Sequence, residues 1–204
     1  MKVNKATCVL FGIVIPVGLQ AQDAQKGFTP QALETIKEGI RNRESRDGSR
    51  LTTMRIEIDA GAALVYRARK LGPEEHHVIL SDEPLTRGGT DTAPSPLGIF
   101  AASLGMCVMN QFNRLAITAE LDLTYTRSSL STVFSGEKAD FKEFTQEVFA
   151  QGDVTEAEIE KLAGRVEDFC RIHTTLRRVV PMTTILHVNG VEVSRREFLP
   201  EDYR

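Results

Sequence analysis

The chain has 204 residues, 41% of them hydrophobic and 26% charged, with 15 glycines and 8 prolines. That composition supports one ordinary globular core and excludes wholesale disorder or a collagen-like repeat. With 25 basic residues against 28 acidic ones the net charge is −3, which argues against a nucleic-acid binder built on a broad cationic face. The three cysteines, Cys8, Cys107 and Cys170, are too few to staple a fold together but enough to perform thiol chemistry.

Lys2 and Lys5 precede the apolar stretch Ala6 to Leu19, which is shorter than the roughly 20 residues of a membrane-spanning helix. The basic start, the apolar middle and the segment Leu19-Gln20-Ala21-Gln22 predict a signal peptide over residues 1–21, a periplasmic or secreted destination and no stable membrane insertion of the mature chain. A buried N-terminal helix in a cytoplasmic protein is the competing reading. Residues 22–50 are assigned to a short helix and a charged linker, and residues 51–204 to the main domain. Thr29-Pro30 starts the helix, with Leu33, Ile36 and Ile40 at helical spacing. The stretch Arg41 to Arg50 is dense in charge and turn formers, and reads as solvated.

Alternating apolar residues predict strands around Met54–Ile58, from Leu64, and over His77–Leu80. The Gly-, Pro- and Thr-rich segment Asp82 to Pro94 predicts a loop. Ser95 to Ile117 has no interior proline, and even its second face is largely Ala, Gly, Met and Ser, so it reads as a mostly buried helix. Two strands over Leu121–Leu130 and Phe144–Ala150 follow, joined through Gly136-Glu137-Lys138. Thr155-Glu156-Ala157-Glu158 is a capping box, and Ile159, Leu162, Ala163, Val166, Phe169 and Cys170 form the buried stripe of the helix it opens. Thr184–Val188, Asn189-Gly190 and Val191–Val193 read as a final hairpin. The order predicts an α+β domain with two long helices packed on antiparallel sheet.

Each cysteine taken singly reads as inert packing. Two cysteines on the core-facing sides of the two long helices can instead meet, and a thiolate can then attack a peroxide oxygen while the second thiol resolves the product. Cys107, in mid-helix, needs a cation to favour its thiolate. Arg87, in the loop before the helix beside Gly88-Gly89, is the candidate, because a guanidinium is permanently charged and offers a fork of donors. His76, His77, His173 and His187 show no metal-ligand spacing, and no cofactor motif is present.

The segment DEPLTRGGTDTAPSPLGIFAASLGMC and the later FCRIHTTL resemble the OsmC/Ohr family over roughly Leu51 to Val188. The resemblance implies an OsmC-like fold in an intertwined homodimer, with two central helices wrapped by sheet. It also implies thiol-dependent reduction of organic hydroperoxides with electrons from a dithiol. By position, Cys107 matches the peroxidatic cysteine and Cys170 the resolving one. Arg87 matches the arginine of the loop, whereas Ser45-Arg46-Asp47-Gly48 only loosely resembles the alternative arginine turn. Leu97 stands where the family peroxidases carry a glutamate that holds the arginine, and Arg171 stands in place of a proline. These departures favour the rival expectation, a noncatalytic dimeric stress or small-molecule-binding protein in which the cysteine pair is structural or inert.

Overall fold

The computed structural model describes residues 29–44, 56–60, 66–70, 78–134 and 140–200. The predicted signal segment, the Ser45–Arg50 part of the linker and the Gly136-Glu137-Lys138 connection lie outside them. Helix α1 spans Pro30–Glu44, with the Ala32 amide donating to Thr29 Oγ1 at 3.2 Å. The helix thus continues through Arg41 to Glu44, where the charge pattern predicts a solvated linker. Tertiary contact explains the extension: Ile40 is fully buried, Lys37 pairs with Glu120 at 2.8 Å, and Glu44 pairs with Arg165.

Strands β1 (Ile56–Ala60), β2 (Tyr66–Lys70) and β3 (Val78–Ser81) form an antiparallel sheet in that order. A 3-10 turn at Leu85–Arg87 precedes helix α2, Pro96–Thr118. Ser95 caps α2 by accepting from the Gly98 amide at 3.2 Å, and Pro96 fills the first turn, where a missing N–H costs nothing. Leu104, Val108, Gln111, Phe112 and Leu115 recur at helical period and form its buried face. Leu97, Phe100 and Met106 remain exposed, so α2 is less fully enclosed by its own chain than its apolar sequence predicts.

Strands β4 (Asp122–Phe134) and β5 (Phe141–Asp153) pair antiparallel and run well beyond the predicted segments. Helix α3 spans Glu156–Phe169 and begins with both halves of the capping box in place. A short helix α4, Arg171–Leu176, follows, then β6 (Met182–Val188) and β7 (Val191–Phe198). Asn189 and Gly190 adopt positive φ, 48° and 89°, as a tight type I′ hairpin turn requires.

The second sheet has the order β4-β5-β6-β7, and β5 pairs with β6 in parallel. Every other described strand pair is antiparallel, as the sequence predicts, and this pair is the exception. Parallel neighbours need a crossover connection, and the α3–α4 segment supplies it. The core forms where α2 and α3 cover this sheet: Leu104, Phe112 and Leu115 from α2 and Ile159, Leu162 and Val166 from α3 meet Phe144, Val148, Met182 and Leu186. Phe100 on α2 stacks on Phe141, with ring centroids 5.3 Å apart, and ties the front of the helix to the start of β5. Among the described residues no helix is long and apolar enough to cross a membrane.

Candidate thiol site

Cys107 faces inward from the middle of α2 and is half-buried, whereas Cys170 is fully buried. Sequence periodicity assigns Cys170 to the last turn of α3. In the structure it lies one residue beyond, in extended conformation (φ −79°, ψ 109°), at the joint where α3 ends and α4 begins. Its amide still donates to the Val166 carbonyl at 2.8 Å, so the joint is held to α3. The result is an Sγ–Sγ separation of 3.2 Å between Cys170 and Cys107. Burial pushes the Cys170 thiol up to about 12, against the opposing pull of the His173 and Ile172 amides. Cys170 therefore keeps its proton and donates to Cys107, and Cys107 is the sulfur with access to solvent. A disulfide requires sulfurs about 2.05 Å apart, so oxidation asks for a closure on the order of 1 Å.

The cation beside this pair comes from α1. Arg43 follows Ile40 by three residues on the inward stripe of the helix and is half-buried. It donates to Gln111 Oε1 at 3.3 Å and to the Phe169 carbonyl, and its guanidinium lies 4.7 Å from the centre of the Phe169 ring. Gln111 is one helical turn beyond Cys107, and Phe169 immediately precedes Cys170. Burial, followed by repulsion from Arg171 and Arg114, lowers the Arg43 pKa, and both cysteines act in the opposite direction. Sequence reasoning missed Arg43 because it sits in a charge-dense run. The available signal was that Leu33, Ile36, Ile40 and Arg43 share one helical stripe.

Arg87 is placed differently. It closes the 3-10 turn with its side chain 68% exposed, 3.7 Å from Glu83. No hydrogen bond or ion pair joins it to either sulfur among the described residues. Its loop is nonetheless well built. Asp82 accepts from the amides and hydroxyls of both Thr90 and Thr92, at 2.5–3.2 Å. These bonds hold its carboxyl well below the ordinary range, the Thr90 hydroxyl contributing most. Gly88 turns the chain at φ 85°, and a Cβ on Gly89 would lie 1.8 Å from the Glu83 carbonyl oxygen. Backbone cannot yield at that distance, so Gly89→Ala forces the loop open. Limited proteolysis should cut between Glu83 and Thr92 faster in Gly89→Ala than in the parent, and equal cutting would contradict the packing described.

Residues 89–185, which contain α2, both cysteines and most of the four-stranded sheet, match the family model for OsmC-like protein. The chain carries an OsmC-like domain. Its fold is found in solved structures at low identity. An OsmC-like protein from Mycoplasma pneumoniae is 15% identical with a TM-score of 0.59, covering 67% of this chain and 97% of that one. An organic hydroperoxide resistance protein from Elizabethkingia anophelis is 16% identical with a TM-score of 0.52, covering 70% and 99%. The organic hydroperoxide resistance protein OsmC from Legionella pneumophila is 20% identical with a TM-score of 0.50, covering 69% and 98%. No curated protein matched the chain. At these identities the structural likeness concerns the fold.

Helix α1 lies outside the matched residues, so Arg43 comes to Gln111 and Phe169, the neighbours of the two cysteines, from a preceding segment. Leu97, in the first turn of α2, offers no acceptor for a guanidinium, and Arg43 is held by an amide oxygen and a carbonyl instead. Ala101, Ala102, Gly105, Met106 and Met109 of α2, with Ser128 and Leu130 of β4, line an open trough of about 360 Å3 on a face of α2 other than the one that carries Cys107. Met106 is 64% exposed there. Of the four histidines, His173 is buried and stands edge-on to Phe198, with centroids 5.1 Å apart. His187 stacks on Phe149 and lies 3.4 Å from Glu147. Among the described residues no three potential metal ligands gather.

Proposed function

We propose that the chain is a thiol-dependent peroxidase of the OsmC-like kind, reducing organic hydroperoxides through Cys107 and Cys170. The observation that carries this reading is the 3.2 Å separation of a solvent-accessible sulfur from a buried, protonated one. Two of the solved proteins that share the fold are organic hydroperoxide resistance proteins, which supports the substrate class.

In the first step the Cys107 thiolate attacks the distal peroxide oxygen. A sulfur–oxygen bond forms, the oxygen–oxygen bond breaks, and the departing alkoxide takes a proton to become the alcohol. Sulfur loses two electrons and becomes a sulfenic acid. Cys170 then attacks that sulfur, its proton leaves with the hydroxyl as water, and the disulfide forms. A dithiol reductant restores both thiols by exchange. Arg43, held between Gln111 and the Phe169 carbonyl, supplies the positive charge near the attacking sulfur, the task expected of Arg87.

The proposal includes a homodimer. Val78, Ile79 and Leu80 on β3 are each 50–54% exposed, and Met106 is bare on α2. A consecutive apolar strand and an apolar helix face are the surfaces that a second copy would cover.

The second reading, a noncatalytic binding protein, is favoured by Leu97 and by the solvent position of Arg87. Steady-state consumption of cumene hydroperoxide with a small dithiol as reductant separates the two. Turnover proportional to protein supports the peroxidase, and a rate equal to that of the dithiol alone supports the binding protein.

A further inference from the structure

Among the described residues Arg43 is held without a carboxylate. Its hydrogen-bond acceptors are Gln111 Oε1 and the Phe169 carbonyl, and an aromatic ring covers one face. The nearest acid on its own helix, Glu44, is engaged by Arg165. The other charges that bear on Arg43 from the packed elements are cations, Arg171 beside Cys170 and Arg114 on α2. Gln111 is 7% exposed, so its amide has little access to water, and it lies one turn from Cys107 on the same helix. A carboxylate there would fix the guanidinium equally well but would cancel its charge.

We infer that Gln111 is a positioning residue whose neutrality matters: it aims the Arg43 guanidinium at the cysteine pair and leaves that charge uncompensated for the Cys107 sulfur and for any anion approaching it. The inference deepens the peroxidase reading but concerns the electrostatics of the sulfur, which can be measured without peroxide turnover. Arg43 and Gln111 act as one unit, an arm from α1 and its rest on α2.

The test compares alkylation of Cys107 by iodoacetate, an anion, and by iodoacetamide, its neutral counterpart, in the full chain, with the modified residue located by mass spectrometry. Both reagents consume the same thiolate, so the ratio of their rates cancels the thiolate fraction and reports local charge. Gln111→Glu keeps the hydrogen bond and removes the net charge, and the iodoacetate to iodoacetamide ratio should fall about fivefold. Arg43→Met removes the charge from the other side and should give a similar fall. Gln111→Leu loses the acceptor that aims the guanidinium but keeps the cation on the Phe169 carbonyl and ring, and should lower the ratio about twofold, less than Gln111→Glu does. A ratio unchanged in Gln111→Glu, in Arg43→Met or in Gln111→Leu overturns the inference, as does a Gln111→Leu ratio as low as that of Gln111→Glu. Loss of peroxidase turnover with these ratios intact would instead count against the catalytic reading alone.

Discussion

Replacing Cys107 by serine is expected to reduce hydroperoxide consumption to the rate of the reductant alone, a loss on the order of 10³-fold or more. The serine hydroxyl neither ionises near neutral pH nor accepts a peroxide oxygen, and no other described thiol has access to solvent. Cys170 is fully buried, and burial raises its pKa to about 12, so it cannot take over the attack. Cys170→Ser has a different phenotype. The first oxidation still occurs at Cys107, but no second sulfur stands 3.2 Å away to expel the hydroxyl. One equivalent of peroxide is consumed rapidly, and the protein then stalls as sulfenic or over-oxidised Cys107. Stopped-flow peroxide consumption distinguishes the two variants. Equal turnover by the parent and Cys107→Ser would remove the basis for the catalytic role.

Stability should fall as pH drops from 6.5 towards 4, because of His173. Burial, then the Arg177 charge, lowers its pKa from 6.5 to about 4. In the folded chain the imidazole therefore remains neutral in this interval, while in the unfolded chain it takes up a proton. The unfolded state binds more protons across the window, so each step down in pH favours unfolding, and the full effect is roughly 3 kcal/mol. Below about 4 the contribution levels off, and above 6.5 it is constant. Glu167 acts in the other direction. Burial raises its pKa above 4.5, against the hydrogen bond from Arg196 at 3.0 Å, so the folded state gains a proton there as the pH falls. The net loss is consequently smaller than His173 alone would give as the pH approaches 4.5. Urea midpoints at pH 7, 6, 5 and 4.5 under reducing conditions will show it. His173→Phe, which keeps a ring beside Phe198, should flatten the profile. An unchanged slope in that variant would mean that His173 does not carry the effect.

Much of the fold can be read from local chemistry. Ser95-Pro96 and Thr155–Glu158 carry their helix starts in the side chains themselves, and Asn189-Gly190 marks its turn by the positive φ that these residues tolerate. The facing of Cys107 and Cys170 also follows from helical periodicity, since each lies on an apolar stripe. Less visible is whatever depends on distant partners. The parallel pairing of β5 with β6 is set by the α3–α4 crossover, and α4 itself is a six-residue helix with no cap signal. Cys170 therefore reads as the end of one helix when it is the joint between two.

The cation shows the same limitation more sharply. Arg87 and Arg43 both stand among polar neighbours in sequence, and charge density alone assigns each to solvent. Arg43 is drawn in because Ile40, one turn earlier, is buried against α2 and carries the helix end towards Phe169. Arg87 is left outside because Asp82, Thr90 and Thr92 close its loop upon itself, with Gly89 pressed against the Glu83 carbonyl. The acceptors of Arg43 come from α2 and from the end of α3, and only tertiary packing brings them together.

The most direct measurement is a single equivalent of cumene hydroperoxide added to the fully reduced protein, followed by intact-mass and peptide mass spectrometry. The account predicts the loss of two hydrogens and one new cross-link between the peptides that contain Cys107 and Cys170, reversed by a dithiol. Two free thiols with the peroxide unconsumed, or an oxidised Cys107 beside an untouched Cys170, would contradict it.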